Sequence, residues 1–142
     1  MDITIGSKMQ NKALVQDYIN RAHHRIAAID TLFERGAWAD VVREAQEAVE
    51  LALKALLRSI SIEPPRIHDV SEILLQKQEL FSKDIQTNLK KMAEISRSLR
   101  RDRELAFYGS EDLTPSEFYK IGDAEQARSQ ARWLVETLGV LK

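Results

Sequence analysis

The sequence has 142 residues, the size of one ordinary domain, and residues 1–142 are predicted to form a single domain. It contains no cysteine, so disulfides, thiolate metal sites and cysteine nucleophiles are excluded. The 21 basic residues nearly balance 22 acidic ones, so contact with a polyanion would need a local basic patch. Neither a basic leader nor a long apolar run is present, which predicts a cytoplasmic protein without membrane contact.

The first two predicted elements are long helices. Apolar residues recur three and four positions apart from about Asn11 to Arg35, and Gly36 follows as a helix stop. A second helix, from Trp38 to about Ile60, has the broadest apolar stripe of the chain, which predicts a central place in a bundle. Its charged face is expected to be solvated. The residues of that face are Arg43, Glu44, Glu47, Glu50, Lys54 and Arg58.

Two prolines, Pro64 and Pro65, are expected to end the second helix, because neither donates a backbone hydrogen bond and each disfavours helix in the preceding residue. A short helix is predicted next. Its apolar residues are Val70, Ile73, Leu74 and Leu80. A third long helix is predicted to begin at Ser82 or Asp84, either of which can cap it, and to close at Gly109.

The last part of the chain is predicted to contain a loop and a fourth long helix. Residues 110–122 form an ordered loop with room for one turn of helix. The helix begins with Asp123 and Gln126 in the spacing of a capping box and stops at Gly139. The predicted fold is therefore all-α: an antiparallel up-down bundle of four long helices, with a short helix between the second and the third.

A dense basic cluster lies near the end of the third long helix. Its members are Arg97, Arg100, Arg101 and Arg103. Arg103 continues a stripe of apolar residues, and a lone charge is rarely buried without a partner. Either Arg103 forms an ion pair with a neighbouring helix, for instance with Glu44 or Glu47, or it lines a groove that binds an anion. The other arginines form either a solvated face or a phosphate-binding patch.

The three histidines give two further candidates. His68 and Asp69 stand at the start of the short helix, where Asp69 is well placed to cap the helix. In the alternative interpretation His68 is a general base or a phosphate contact, because its pKa lies near neutrality. His23 and His24 fall in the middle of the first helix without a ligand four residues on, so neither a metal site nor another cofactor is predicted.

Three parts of the chain together resemble the HEPN family of small helical prokaryotic proteins. They are the helix WADVVREAQEAVELALKALL, the segment HDVSEIL, and the stretch RDRELAFYG with the later helix DAEQARSQARWL. The resemblance covers nearly the whole chain and implies an up-down bundle that pairs into a symmetric homodimer. It also implies a relation to metal-independent ribonucleases, because many members of the family resemble such enzymes. These members act as toxins and are encoded beside a minimal nucleotidyltransferase that serves as antitoxin.

The family's active motif is an arginine, a polar residue, three further residues and a histidine. Arg103 matches the arginine and Glu104 the polar residue, but Tyr108 stands at the histidine position. With a pKa of about 10, a tyrosine is a poor general base at neutral pH. The resemblance therefore implies a binding groove with weakened cleavage chemistry.

Two functional hypotheses follow from the residues and the resemblance. In the first, the chain is the HEPN half of a two-gene toxin–antitoxin type system and binds a nucleotide, RNA or a nucleotidyltransferase partner. Its nucleotide- or RNA-binding residues are Arg97, Arg100 and Arg101. In the second, the chain is an active metal-independent endoribonuclease that uses Arg103 with His68 or Tyr108. Loss of metal-free RNA cleavage in Arg103→Ala would distinguish the second from the first.

Overall fold

The computed structural model describes residues 5–66, 70–108 and 113–141, with side chains at 11–66, 70–100 and 113–141. These residues form six α-helices and one 3₁₀ turn, and they contain no strand. The elements are α1 Ile5–Glu34, α2 Trp38–Ser59, α3 Val70–Gln76, the 3₁₀ turn Gln78–Leu80, α4 Lys83–Tyr108, α5 Pro115–Phe118 and α6 Ile121–Leu138. The prediction of an all-α bundle with four long helices is confirmed. The four are α1, α2, α4 and α6.

A tight turn at Gly36 joins α1 to α2. Gly36 has φ 72°, and its N–H donates to the carbonyl of Phe33 at 3.0 Å, which closes the last turn of α1. Trp38 begins α2 and packs edge-on against Phe33, with 5.1 Å between the ring centroids. The predicted stop at Gly36 is confirmed. The predicted start at about Asn11 is wrong, because α1 begins at Ile5.

Replacing Gly36 with alanine is expected to lower the free energy of unfolding by about 1 kcal/mol, because a side chain disfavours the left-handed backbone of this turn. Urea unfolding measures the change. Gly122 is the matched control, since it lies within α6 and an added methyl group there meets no atom within 4 Å. Gly122→Ala is expected to leave stability unchanged or to raise it by up to about 1 kcal/mol. Equal losses in both variants would contradict the role given to Gly36.

The second helix is the centre of the bundle. It contacts α1, α4 and α6, and its apolar residues are almost entirely buried. Those with no exposed surface include Val41, Ala45, Ala48, Ala52, Leu53, Ala55, Leu56 and Leu57. The predicted central position is confirmed. The prediction that its charged face is solvated is wrong for most of the residues of that face. Arg43 is exposed, but the other five charged residues are half-buried, because helices surround α2 on several sides.

The predicted ends of the next helices agree with the observed ones in part. The second helix ends at Ser59, before the two prolines as predicted, and Ser61 turns the chain with φ 62°. The short helix stops at Gln76, so Leu80 falls in the separate 3₁₀ turn and is exposed. Ser82 does cap α4, since its hydroxyl accepts a hydrogen bond from the N–H of Ile85 at 3.4 Å.

The start of α6 corrects the predicted capping box. The helix begins at Ile121, and the carboxylate of Asp123 accepts a hydrogen bond from the backbone N–H of Lys120 at 2.9 Å. Asp123 is therefore the third residue of the helix and not its cap. The single helical turn allowed for in the preceding loop is present as α5, whose start is capped by Thr114.

Polar and aromatic contacts fasten α6 to the helices on either side. On the α1 side, Asp30 binds Arg128 at 2.8 Å and Arg132 at 2.6 Å. On the α4 side, the ammonium group of Lys91 lies 3.9 Å from the ring centroid of Trp133. These contacts hold α6 between α1 and α4 and fix the position of α4, which carries the predicted site residues.

Candidate functional site

A small polar notch lies where α2, α3 and α4 meet. It encloses about 10 Å³ and is lined by Gln46, Glu50, Val70, Ser96 and Arg100, among others. A cavity of this size holds about one water molecule. A nucleotide or an RNA strand is too large to fit inside it.

The wall contributed by α2 contains a buried amide next to a charged pair. Gln46 is only 5% exposed and donates from Nε2 to a carboxylate oxygen of Glu50 at 3.1 Å. The other oxygen of Glu50 lies 3.8 Å from the ammonium group of Lys54. The Oε1 atom of Gln46 is buried without a hydrogen-bond partner in the described part of the chain. Sequence reasoning missed Gln46, although a polar residue on the apolar stripe of α2 was a signal for it.

Two of the predicted arginines have described side chains on α4, and one of them, Arg100, lines the notch. Arg97 is exposed, and its Nε donates to the hydroxyl oxygen of Ser71 on α3 at 3.2 Å. Ser71 has no exposed surface. Arg100 is half-buried and lines the notch. Arg97 and Arg100 thus lie three residues apart on α4, and Arg97 contacts Ser71, which sequence reasoning did not single out. The binding role of the two arginines stays a prediction.

The apolar stripe that leads toward Arg103 is confirmed as far as its side chains are described. Met92, Ile95 and Leu99 are at most 3% exposed and face the core. Glu44, one of the two partners predicted for Arg103, forms an ion pair with Arg25 at 3.2 Å.

The other predicted site residues lie outside the described part of the structure. The backbone of α4 stays helical to Tyr108, but the side chains of Arg101, Arg103, Glu104 and Tyr108 are not described. His68, with Asp69, belongs to the short segment between the described ranges 5–66 and 70–108. Their roles stay predictions. His23 and His24 are exposed on α1.

Neither a metal centre nor a membrane span is found in the described ranges. No group of three or more His, Cys, Asp and Glu side chains there is arranged to hold a metal ion. None of the helices in those ranges has both the length and the apolar character needed to cross a bilayer. The polar groups that line the notch include the guanidinium group of Arg100 and the carboxylate of Glu50, and the exposed guanidinium group of Arg97 lies on the same helix as Arg100. The chemistry that this part of α4 can perform is anion binding through these two arginines.

The described residues form an all-α bundle in which Arg97 and Arg100 lie on the third long helix, α4. The family model for the HEPN domain matches residues 15–141, and the chain belongs to the HEPN family. The resemblance seen in the sequence is thereby confirmed. Neither a curated protein nor a solved structure matches the chain significantly.

Proposed function

We propose that this HEPN domain binds RNA, or a nucleotide with the same phosphate chemistry, on the basic surface of α4. The positions of Arg97, exposed on α4, and of Arg100, three residues further on and lining the notch, carry the proposal. Arg97 is exposed and has no carboxylate partner among the described residues, so its positive charge is available to an anion. Arg101 and Arg103 follow on the same helix and extend the basic stretch. Phosphate groups gain charge-assisted hydrogen bonds from such a surface.

Cleavage of the bound RNA is proposed to be weak or absent. The family's motif has a histidine where this chain has Tyr108, and at pH 7 only about one thousandth of the molecules of an ordinary tyrosine are ionised. Arg103 then serves to hold the phosphate backbone and not to complete a catalytic pair. His68 is the other candidate for a base, and it supports the competing hypothesis of an active endoribonuclease.

The proposed assembly is a symmetric homodimer that forms the HEPN half of a two-gene toxin–antitoxin type system. Pairing would bring two copies of the Arg103 region to a shared cleft. The proposed partner is a small nucleotidyltransferase that binds near Tyr108, the last residue of α4, whose hydroxyl would take a phosphate-bearing group beside Arg97 and Arg101. The gene next to this one tests the pairing, since a neighbour of unrelated type would contradict it.

Purified protein in EDTA is expected to bind a short single-stranded RNA and to leave it intact over several hours. Fluorescence anisotropy measures binding, and a denaturing gel measures cleavage. Arg103→Ala is expected to weaken binding without creating activity. Robust metal-free cleavage that is lost in Arg103→Ala would contradict the proposal of weak or absent cleavage and would support the endoribonuclease hypothesis. Its survival in Tyr108→Phe and loss in His68→Ala would then identify His68 as the base.

A further inference from the structure

The hydrogen bond that holds Arg97 differs from the ion pairs that hold Arg25, Arg128 and Arg132. Its Nε donates to the hydroxyl oxygen of Ser71 at 3.2 Å, across the contact between α3 and α4. A guanidinium group has five N–H donors, of which Nε supplies one. The two terminal nitrogens, with four donors, therefore stay available while the base of the group is held by a fully buried serine.

Other well-placed arginines are held by carboxylates instead. Arg25 uses a terminal nitrogen to bind Glu44 at 3.2 Å, and Arg128 and Arg132 share the carboxylate of Asp30. In those contacts the acid offsets the positive charge and occupies a terminal nitrogen. Arg97 is held by a neutral hydroxyl, so its charge is not offset by its anchor.

We propose that Ser71 is a positioning residue that presents the terminal edge of Arg97 to one phosphate group. The inference rests on the proposed function and names the contact that the basic surface makes. The two terminal nitrogens match two phosphate oxygens in a bidentate contact, which a lysine cannot make. Because Ser71 orders the side chain before the ligand arrives, less conformational entropy is lost on binding. Arg100, three residues further along α4, adds a second cation beside this position.

The test is a double-mutant cycle on RNA binding by the full chain. The probe is a fluorescein-labelled, single-stranded RNA of ten nucleotides with a 5′-hydroxyl end. Ser71→Ala and Arg97→Lys are each expected to weaken binding about three- to tenfold. The double variant should bind as Arg97→Lys does, because Ser71 acts only through the arginine. Neither variant changes net charge, so the slope of log affinity against log salt should stay the same.

Matched controls separate positioning from a structural role. Ser129→Ala on α6 and Arg21→Lys on α1 make the same chemical changes at exposed residues, and both should bind RNA like the wild type. The Tm of each variant is measured alongside. If Ser71 only held α3 against α4, Ser71→Ala would lower the Tm and leave the RNA affinity unchanged. Alternatively, the losses of RNA affinity caused by Ser71→Ala and by Arg97→Lys would multiply in the double variant. Either result overturns the proposal.

A second arm identifies the source of the phosphate. AMP and adenosine are compared as competitors of the labelled RNA. If AMP competes more strongly and the difference vanishes in Arg97→Lys, the position takes the phosphate of a mononucleotide. If neither AMP nor adenosine competes while RNA binding shows the expected double-mutant cycle, Arg97 binds an internal phosphodiester of the RNA. Both outcomes support the phosphate contact.

Failure of this inference can be told apart from failure of the proposed function. If Ser71→Ala binds RNA like the wild type while neutralising Arg97 and Arg100 together abolishes binding, the basic surface stands and the positioning role of Ser71 is overturned. If the wild type binds neither the RNA nor AMP, both the inference and the proposed function are overturned.

Discussion

Replacing Leu56 with alanine is expected to lower the free energy of unfolding by about 2–5 kcal/mol. Leu56 has no exposed surface and lies on α2, which packs against α1, α4 and α6. Removing its side chain leaves a cavity that the surrounding helices cannot all close. Urea unfolding followed by circular dichroism measures the loss.

Leu80 supplies the control for this substitution. It is 59% exposed in the 3₁₀ turn, so Leu80→Ala should change stability by no more than about 0.5 kcal/mol. A loss below about 1 kcal/mol for Leu56→Ala, or equal losses for the two variants, would contradict the central position of α2.

Neutralising Arg97 and Arg100 together is expected to weaken RNA binding by at least about tenfold at low salt. Each arginine that neutralises a phosphate of a single strand contributes about 0.7 to the slope of log affinity against log salt. Arg97→Gln with Arg100→Gln should therefore reduce that slope by up to about 1.4. Fluorescence anisotropy between about 50 and 200 mM salt measures both quantities.

A second double variant controls for the loss of two charges. Arg21 and Arg35 are exposed on or just after α1, and Arg21→Gln with Arg35→Gln changes the net charge by the same amount. This variant should bind RNA within about twofold of the wild type, because its arginines lie outside the notch. Equal weakening by both double variants would mean that net charge alone drives binding, and the α4 surface would then not be the site.

The sequence predicted the long helices because apolar periodicity is a local property of each segment. The central position of α2 followed from the width of its apolar stripe, and the turn at Gly36 followed from its glycine. The partial burial of the charged face of α2 could not be predicted from its sequence pattern. It depends on how many helices surround α2, which no pattern within that helix records. The start of α6 was misplaced because Asp123 is the third residue of the helix, where its carboxylate accepts a hydrogen bond from the backbone N–H of Lys120.

The candidate site was predicted in part. Arg97 and Arg100 were found because basic residues cluster along α4. Ser71 was missed because it contacts Arg97 across 26 residues of sequence, and a serine in a short helix has no local signature of that partnership. Gln46 was missed because the pattern around it was interpreted as apolar packing. The roles of Arg101, Arg103, Glu104, Tyr108 and His68 stay predictions.

The positions of the two tryptophans make the bundle observable by its own fluorescence. Trp38 packs on Phe33 beside the turn between α1 and α2, whereas Trp133 lies under the ammonium group of Lys91 between α4 and α6. A single-tryptophan variant that keeps Trp133 therefore reports when α4 separates from α6, and one that keeps Trp38 reports when the first two helices part. Emission from the two variants during unfolding would reveal whether the helix that carries the arginines detaches on its own or only when the whole bundle opens.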